Sequence, residues 1–167
     1  MDMNAQDNLN IIWTLVAAAL VFFMQAGFAC LETGLVRAKN SINVAIKNVI
    51  DLVMSIAGFW VVGFGLMFGA SIGGLFGFSA FGLIGYDSPT DYTFFMFQAV
   101  FAGTAVTIVS GALAERVKFY AYMIASAVIG GCIYPVFGHW AWGGAWLGNN
   151  SGWLASLGFI DFAGSTV

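Results

Sequence analysis

The sequence predicts an all-α integral membrane protein, and three observations lead there. Only 8% of the 167 residues are charged and 60% are hydrophobic, against about 25% charged in soluble domains. Four windows, Asn10–Leu31, Leu52–Ala70, Tyr92–Ala114 and Phe119–Trp140, hold no Asp, Glu, Lys or Arg, and each matches the ~20 apolar residues that cross a bilayer. All five basic residues fall in two short segments: Arg37, Lys39 and Lys47, then Arg116 and Lys118. Strands of a closed barrel would alternate over about ten residues; these windows do neither. Helices satisfy their own backbone in lipid, so spans are expected at about 10–31, 49–70, 92–114 and 119–140, with a fifth starting at 161.

Taken in order, the first span follows a start carrying Asp2 and Asp7 and no positive charge. It is too long for a signal-peptide core and lacks the basic region before it, so it is expected to stay in place. Basic residues mark cytoplasmic loops. The loop with Arg37, Lys39 and Lys47 and the loop with Arg116 and Lys118 are therefore expected inside. The N-terminus, the Asp87/Asp91 loop and residues 141–160 are expected outside. Residues 71–91 are rich in glycine and end in Asp87-Ser88-Pro89, a turn signal, so they are read as an outer connection. Cys30 and Cys132 fall at different depths, about 20 Å apart along the membrane normal, and are read as small apolar packing residues without a disulfide.

Gly65, Gly69, Gly73 and Gly77 recur every fourth residue. Ser55, Gly58, Gly65 and Gly69 share one helical face, and Gly103, Thr107, Ser110 and Ala114 form a second small stripe. Both are expected to let helix backbones approach closely. In the outer segment, Trp142, Trp146 and Trp153 read as an interface belt. Asn149-Asn150-Ser151 matches a glycosylation acceptor, meaningful only in a eukaryotic secretory setting.

No phosphate-binding loop, metal-spaced Cys/His cluster or nucleophile elbow is present, so no enzyme activity, metal or cofactor is expected. The net charge of −3 with pI near 4.7 offers nothing to nucleic acid. The single histidine, His139, reads as packing. Glu32 and Asp51 are expected at cytoplasmic helix ends, paired with Arg37, Lys39 or Lys47, and Glu115-Arg116 as a loop pair. Asp161 has no basic neighbour. It suits a helix N-cap, and it equally suits a cap that also concentrates cations at an outer vestibule. Trp142 and Phe101 admit two readings. One is interface belt and core packing; the other is a cation-attracting ring above a hydrophobic gate, since aromatic faces attract a partly dehydrated monovalent cation by about 0.5–2 kcal/mol.

The stretch Gly27-Phe28-Ala29-Cys30-Leu31-Glu32-Thr33-Gly34-Leu35-Val36-Arg37-Ala38-Lys39-Asn40 resembles the first cytoplasmic turn of the ammonium transporter (Amt/Mep/Rh) family. So do Gly111-Ala112-Leu113-Ala114-Glu115-Arg116, Trp142-Gly143-Gly144 and Asp161-Phe162-Ala163-Gly164-Ser165-Thr166-Val167, and the likeness is closest to the Amt branch. The resemblance implies the N-terminal part of an eleven-helix inverted-repeat fold, N-terminus outside, in a homotrimer at the plasma or inner membrane. It assigns Phe101 to an upper pore gate, and Trp142, Phe101 and Asp161 to outer ammonium recruitment, before ammonia and a proton separate in an apolar pore.

The family's first pore histidine would fall just past Val167 and its partner in the second half; His139 matches neither. A second gate phenylalanine and a recruitment serine are also missing from residues 1–167. The chain therefore reads as a truncated N-terminal half, or one completed elsewhere, and is expected not to transport ammonium by itself. The alternative is an Amt-like ammonium sensor domain joined to a cytoplasmic signalling domain beyond Val167, and a weaker one is a purely structural membrane fragment. Expected partners are ammonium or ammonia, the lipid bilayer, and a cytoplasmic regulatory protein or fused signalling domain.

Overall fold

The computed structural model describes residues 4–146, 152–162 and 164–167. Among the described residues four helices are long and apolar enough to cross a membrane: α1 Ala5–Leu35, α2 Ala38–Phe68, α3 Pro89–Leu113 and α4 Phe119–Trp142. A short α5, Trp153–Ser156, follows. α1 and α3 begin with reciprocal caps. Asp7 N donates to Asn4 Oδ1 at 2.8 Å while Asn4 N donates to Asp7 Oδ2 at 3.3 Å. Ser88 and Asp91 repeat the exchange, with Pro89 in the first turn where its missing N–H costs nothing.

α2 starts at Ala38 rather than near 49, leaving only Val36 and Arg37 between it and α1. Lys39 and Lys47 are therefore helical rather than looped, and Asp51 lies inside the helix rather than at its end. Lys47 is buried along its stem and reaches back to donate to the Val117 carbonyl at 2.8 Å, the usual behaviour of an aliphatic stem with a charged head. Arg37 meets Glu115, so Arg37, Lys47 and the 114–118 turn share one end of the bundle, called here the basic end. The starts of α1 and α3 meet Trp146 at the opposite end, where Asn10, Thr14, Thr93 and Trp146 line one small cleft.

The expected small-residue face divides into two uses. A Cβ on Gly130 would lie 2.7 Å from Ser55 Cα, and one on Gly58 would lie 2.7 Å from the Ala127 carbonyl, so α2 and α4 touch backbone to backbone. Both helices widen into π turns there, at Phe59–Gly63 and Ile129–Ile133. Pro135 has no N–H for the carbonyl four residues earlier, which explains the widening in α4.

Gly65 and Gly69, in contrast, face no helix. They receive the returning loop: a Cβ on Gly65 would meet the Ser79 carbonyl at 2.6 Å, and one on Gly69 would meet Ser79 N at 2.7 Å. That loop is a two-stranded hairpin, β1 Ser71–Ile72 and β2 Phe76–Gly77, paired Ser71↔Gly77 and Ile72↔Phe76. Its turn uses Gly73 and Gly74 at φ +63° and +76°, values that glycine adopts without a Cβ penalty. Residues 71–88 thus form a lid on the end of the bundle and carry no span.

Cys30 and Cys132 are both unpaired and exposed on the bundle surface. The Asn149-Asn150-Ser151 match lies outside the described residues. From Asp161 onward the described residues show no helical turn.

Candidate functional site

α4 ends at Trp142, where Gly143 N donates back to the His139 carbonyl at 2.8 Å. That bond is still helical, and the extended ψ of Gly143, 130°, is what ends the helix; the half-buried Trp142 indole lines one cleft with Phe97 and Phe101 of α3. Gln98, Thr104, Asp161 and Val167 also line it, and its volume is about 440 Å³. Phe101 packs edge to face on Phe97 with ring centroids 5.0 Å apart, and both Phe101 and Trp142 lean on the aromatic core around Phe59 and Phe64. Asp161 turns its carboxylate to the chain that follows, accepting from Thr166 N at 3.2 Å and Val167 N at 3.1 Å. These donors lie five and six residues on, beyond the second or third position that an N-cap bonds. Residues 101, 142 and 161, distant in sequence, thus share one cavity of mixed aromatic and polar lining. Such a cavity is suited to a small cation that sheds part of its water.

The other tryptophans do not form a simple belt. Trp146 stacks on Phe94 with centroids 4.1 Å apart and planes 11° from parallel. Trp140 donates its indole N–H to the Leu75 carbonyl at 2.9 Å and contacts Trp153 edge to face. They fasten the lid to α3 and α4.

His139 is fully buried, with Nδ1 2.8 Å from the Met67 carbonyl and Nε2 2.8 Å from Ser71 Oγ. A carbonyl only accepts, so Nδ1 carries the proton and Nε2 accepts from Ser71. The residue pins α4 to the end of α2 and to the lid.

The basic end is where the sequence expectations need correction. Asp51 is 0% exposed and sits well inside α2. It pairs with no lysine or arginine. Its Oδ2 accepts a short hydrogen bond from Tyr122, and its Oδ1 lies 3.2 Å from Gln25 Nε2 and 3.3 Å from Thr107 Oγ. Glu32 is 6% exposed, and its Oε2 accepts from Asn48 Nδ2 at 2.8 Å and Ser110 Oγ at 2.9 Å. All four long helices contribute to this layer. Lys47 stands one turn before Asp51 on the same face of α2, but its Nζ is taken by the Val117 carbonyl. Glu115 pairs with Arg37 instead of Arg116, at 3.0 Å; Arg116 donates to the Ala112 carbonyl. Hydrogen bonds from Asn40, then Arg37, hold the Glu115 carboxyl down at about 2. Among the described residues no group of three His, Cys, Asp or Glu side chains converges to hold a metal.

The stripe Gly103, Thr107, Ser110 could have signalled this layer, since its hydroxyls face the helix bearing Asn48 and Asp51 at matching depth. Gln25, without a charge, gave no sign of its part.

Against known proteins, the family model described as "Ammonium Transporter Family" matches residues 12–167. The chain belongs to the Ammonium Transporter Family. Ammonium transporter Amt2 of Archaeoglobus fulgidus is 47% identical over 98% of this chain and 36% of its own length. Ammonium transporter 1 member 3 of Solanum lycopersicum is 43% identical over 99% of the chain and 36% of its own. A solved structure titled "Sensor Amt Protein" superposes with a TM-score of 0.90 at 46% identity, covering 95% of this chain and 40% of that one. The chain thus has the fold of the N-terminal part of an ammonium transporter family protein, and spans about a third of the length of the curated relatives it matches.

Proposed function

We propose that this chain is the N-terminal part of an ammonium transporter and forms its outer recruitment site and upper gate. The shared cleft of Phe101, Trp142 and Asp161 carries this reading. Ammonium reaching the cleft loses part of its hydration and is held against the ring faces of Trp142 and Phe101, each contact worth about 0.5–2 kcal/mol. Asp161 keeps the chain after it in place and adds a negative charge that raises the local cation concentration. Phe101 closes the path below the cleft and admits only a small cargo when its ring swings aside. The remaining pore, where ammonia and the proton part, is completed by chain outside these residues. In this reading the protein is a multi-pass homotrimer of the plasma or inner membrane with its N-terminus outside. The relatives' names, all transporters, support a non-enzymatic role.

Trp142→Leu in the complete protein tests it. The half-saturating ammonium concentration for uptake is expected to rise about tenfold, equivalent to one cation–π contact. An unchanged value removes Trp142 from the mechanism.

The likeness to the "Sensor Amt Protein" structure supports a second reading, in which the same cleft reports ammonium to a cytoplasmic signalling domain. A signalling domain encoded after the last span, with no ammonium flux in reconstituted vesicles, selects this reading over transport.

A further inference from the structure

Glu32 is the buried carboxylate that the proposed recruitment site leaves unused. Its Oε2 is fixed by Asn48 and Ser110, both neutral donors. Its Oε1 takes no hydrogen bond from the described residues and lies over Gly111, where a Cβ would stand 3.7 Å away. The oxygen is not sealed in: the sealed, unpartnered side-chain atoms among the described residues are Asn48 Oδ1 and Gln98 Oε1. It borders a separate cleft of about 230 Å³ at the basic end, lined by Glu32, Arg37, Gly111, Ala114 and Glu115. That volume comfortably exceeds the ~30 Å³ occupied by one water molecule, and ammonium is of similar size.

No neighbouring cation neutralises this carboxylate. Arg37 lines the same cleft, but its Nε lies 3.2 and 3.0 Å from the two Glu115 oxygens. Lys47 points its Nζ at the Val117 carbonyl and over the Tyr122 ring, 5.5 Å from the centroid. Asp51, held by Tyr122, Gln25 and Thr107, lies in the same layer and supplies no positive charge. A buried carboxylate with two neutral donors on one oxygen and a second oxygen open to a cleft has room for a further, positively charged donor.

The position of the cleft supplies the donor's identity. Phe97, Phe101, Thr104 and Ile108 of α3 line the large cleft, and Gly111 of α3 lines the small one. Spacings of three and four place all five on one face of the helix, and the ten residues from Phe101 to Gly111 span about 15 Å. Cargo that passes Phe101 and follows this face arrives at Glu32.

We infer that Glu32 forms a second ammonium site at the cytoplasmic mouth, its open oxygen accepting an N–H of the cation while Asn48 and Ser110 hold the carboxylate in place. This rests on the transport reading above. The test uses the complete protein in proteoliposomes sorted by orientation, with ammonium competing against labelled methylammonium from either face. Glu32→Gln keeps the size and the Asn48 and Ser110 partners but removes the charge. It is expected to raise the half-inhibitory ammonium concentration at the cytoplasmic face about tenfold, the scale of one charge-assisted hydrogen bond, and to leave the outer face within about twofold. Equal shifts at both faces, or none, overturn the inference. If Glu32→Gln fails to assemble, Glu32→Asp and Ser110→Ala replace it. Each is expected to raise the cytoplasmic value alone, and unchanged values overturn the inference equally. A wild-type protein without flux removes the transport reading itself, which is a separable result.

Discussion

At the end away from the basic residues, helices are joined by rings: Phe68 meets Phe94 at 4.8 Å, Phe94 stacks on Trp146, and Phe64 sits edge-on to Tyr86. At the basic end the same helices are joined by polar atoms, with Asp51, Gln25, Thr107 and Tyr122 bonded across four helices. Ring contacts are broad and tolerate adjustment, so a cleft can open among them beside Phe101 and Trp142. Hydrogen bonds are directional, and each buried partner left alone carries a penalty. The aromatic end is thus built to yield and the basic end to hold register.

Removing the centre of the polar layer is the most severe way to break that contrast. Asp51→Leu leaves the Tyr122 hydroxyl, Gln25 amide and Thr107 hydroxyl without their shared acceptor. It is expected to cost about 3 kcal/mol or more, seen as loss of folded protein in thermal unfolding in detergent. Phe94→Leu, at the yielding end, is expected to cost less than half as much in the same assay. Gly130→Ala comes next: its Cβ would press on the Ser55 backbone, so about 1–3 kcal/mol is expected from overpacking. Gly27→Ala, which meets nothing within 4 Å, is expected to change stability little and serves as its partner measurement.

The smallest effect belongs to Glu115. Its carboxyl is depressed from 4.5 to about 2, so its pairing with Arg37 and Asn40 contributes above the ordinary carboxylate range and is lost as pH falls toward 2. Glu115→Gln is expected to remove that acid-end dependence of unfolding and to lower neutral-pH stability slightly, since an exposed pair contributes little. A mutant whose acid profile matches wild type shows that the pair contributes nothing.

The helices were legible because long charge-free windows and the grouping of basic residues act over many positions at once. Their ends were less so. Ile42, Ile46 and Val49 continue the apolar face of α2 toward its start, but Lys47 and Asp51 interrupt the hydropathy and hid the helix from Ala38 onward. The three residues of the outer cleft were named from family likeness; their residue types alone suited packing equally well. The polar layer went unread because Gln25, Thr107 and Tyr122 look ordinary in sequence. Only the crossing of four helices brings them to one carboxylate.

A structure of the complete protein determined with and without ammonium tests the central claim most directly. The account predicts ammonium-dependent density in the large cleft, against the ring faces of Trp142 and Phe101. A cleft filled by side chains of the remaining helices, or ammonium density that avoids both rings, contradicts it.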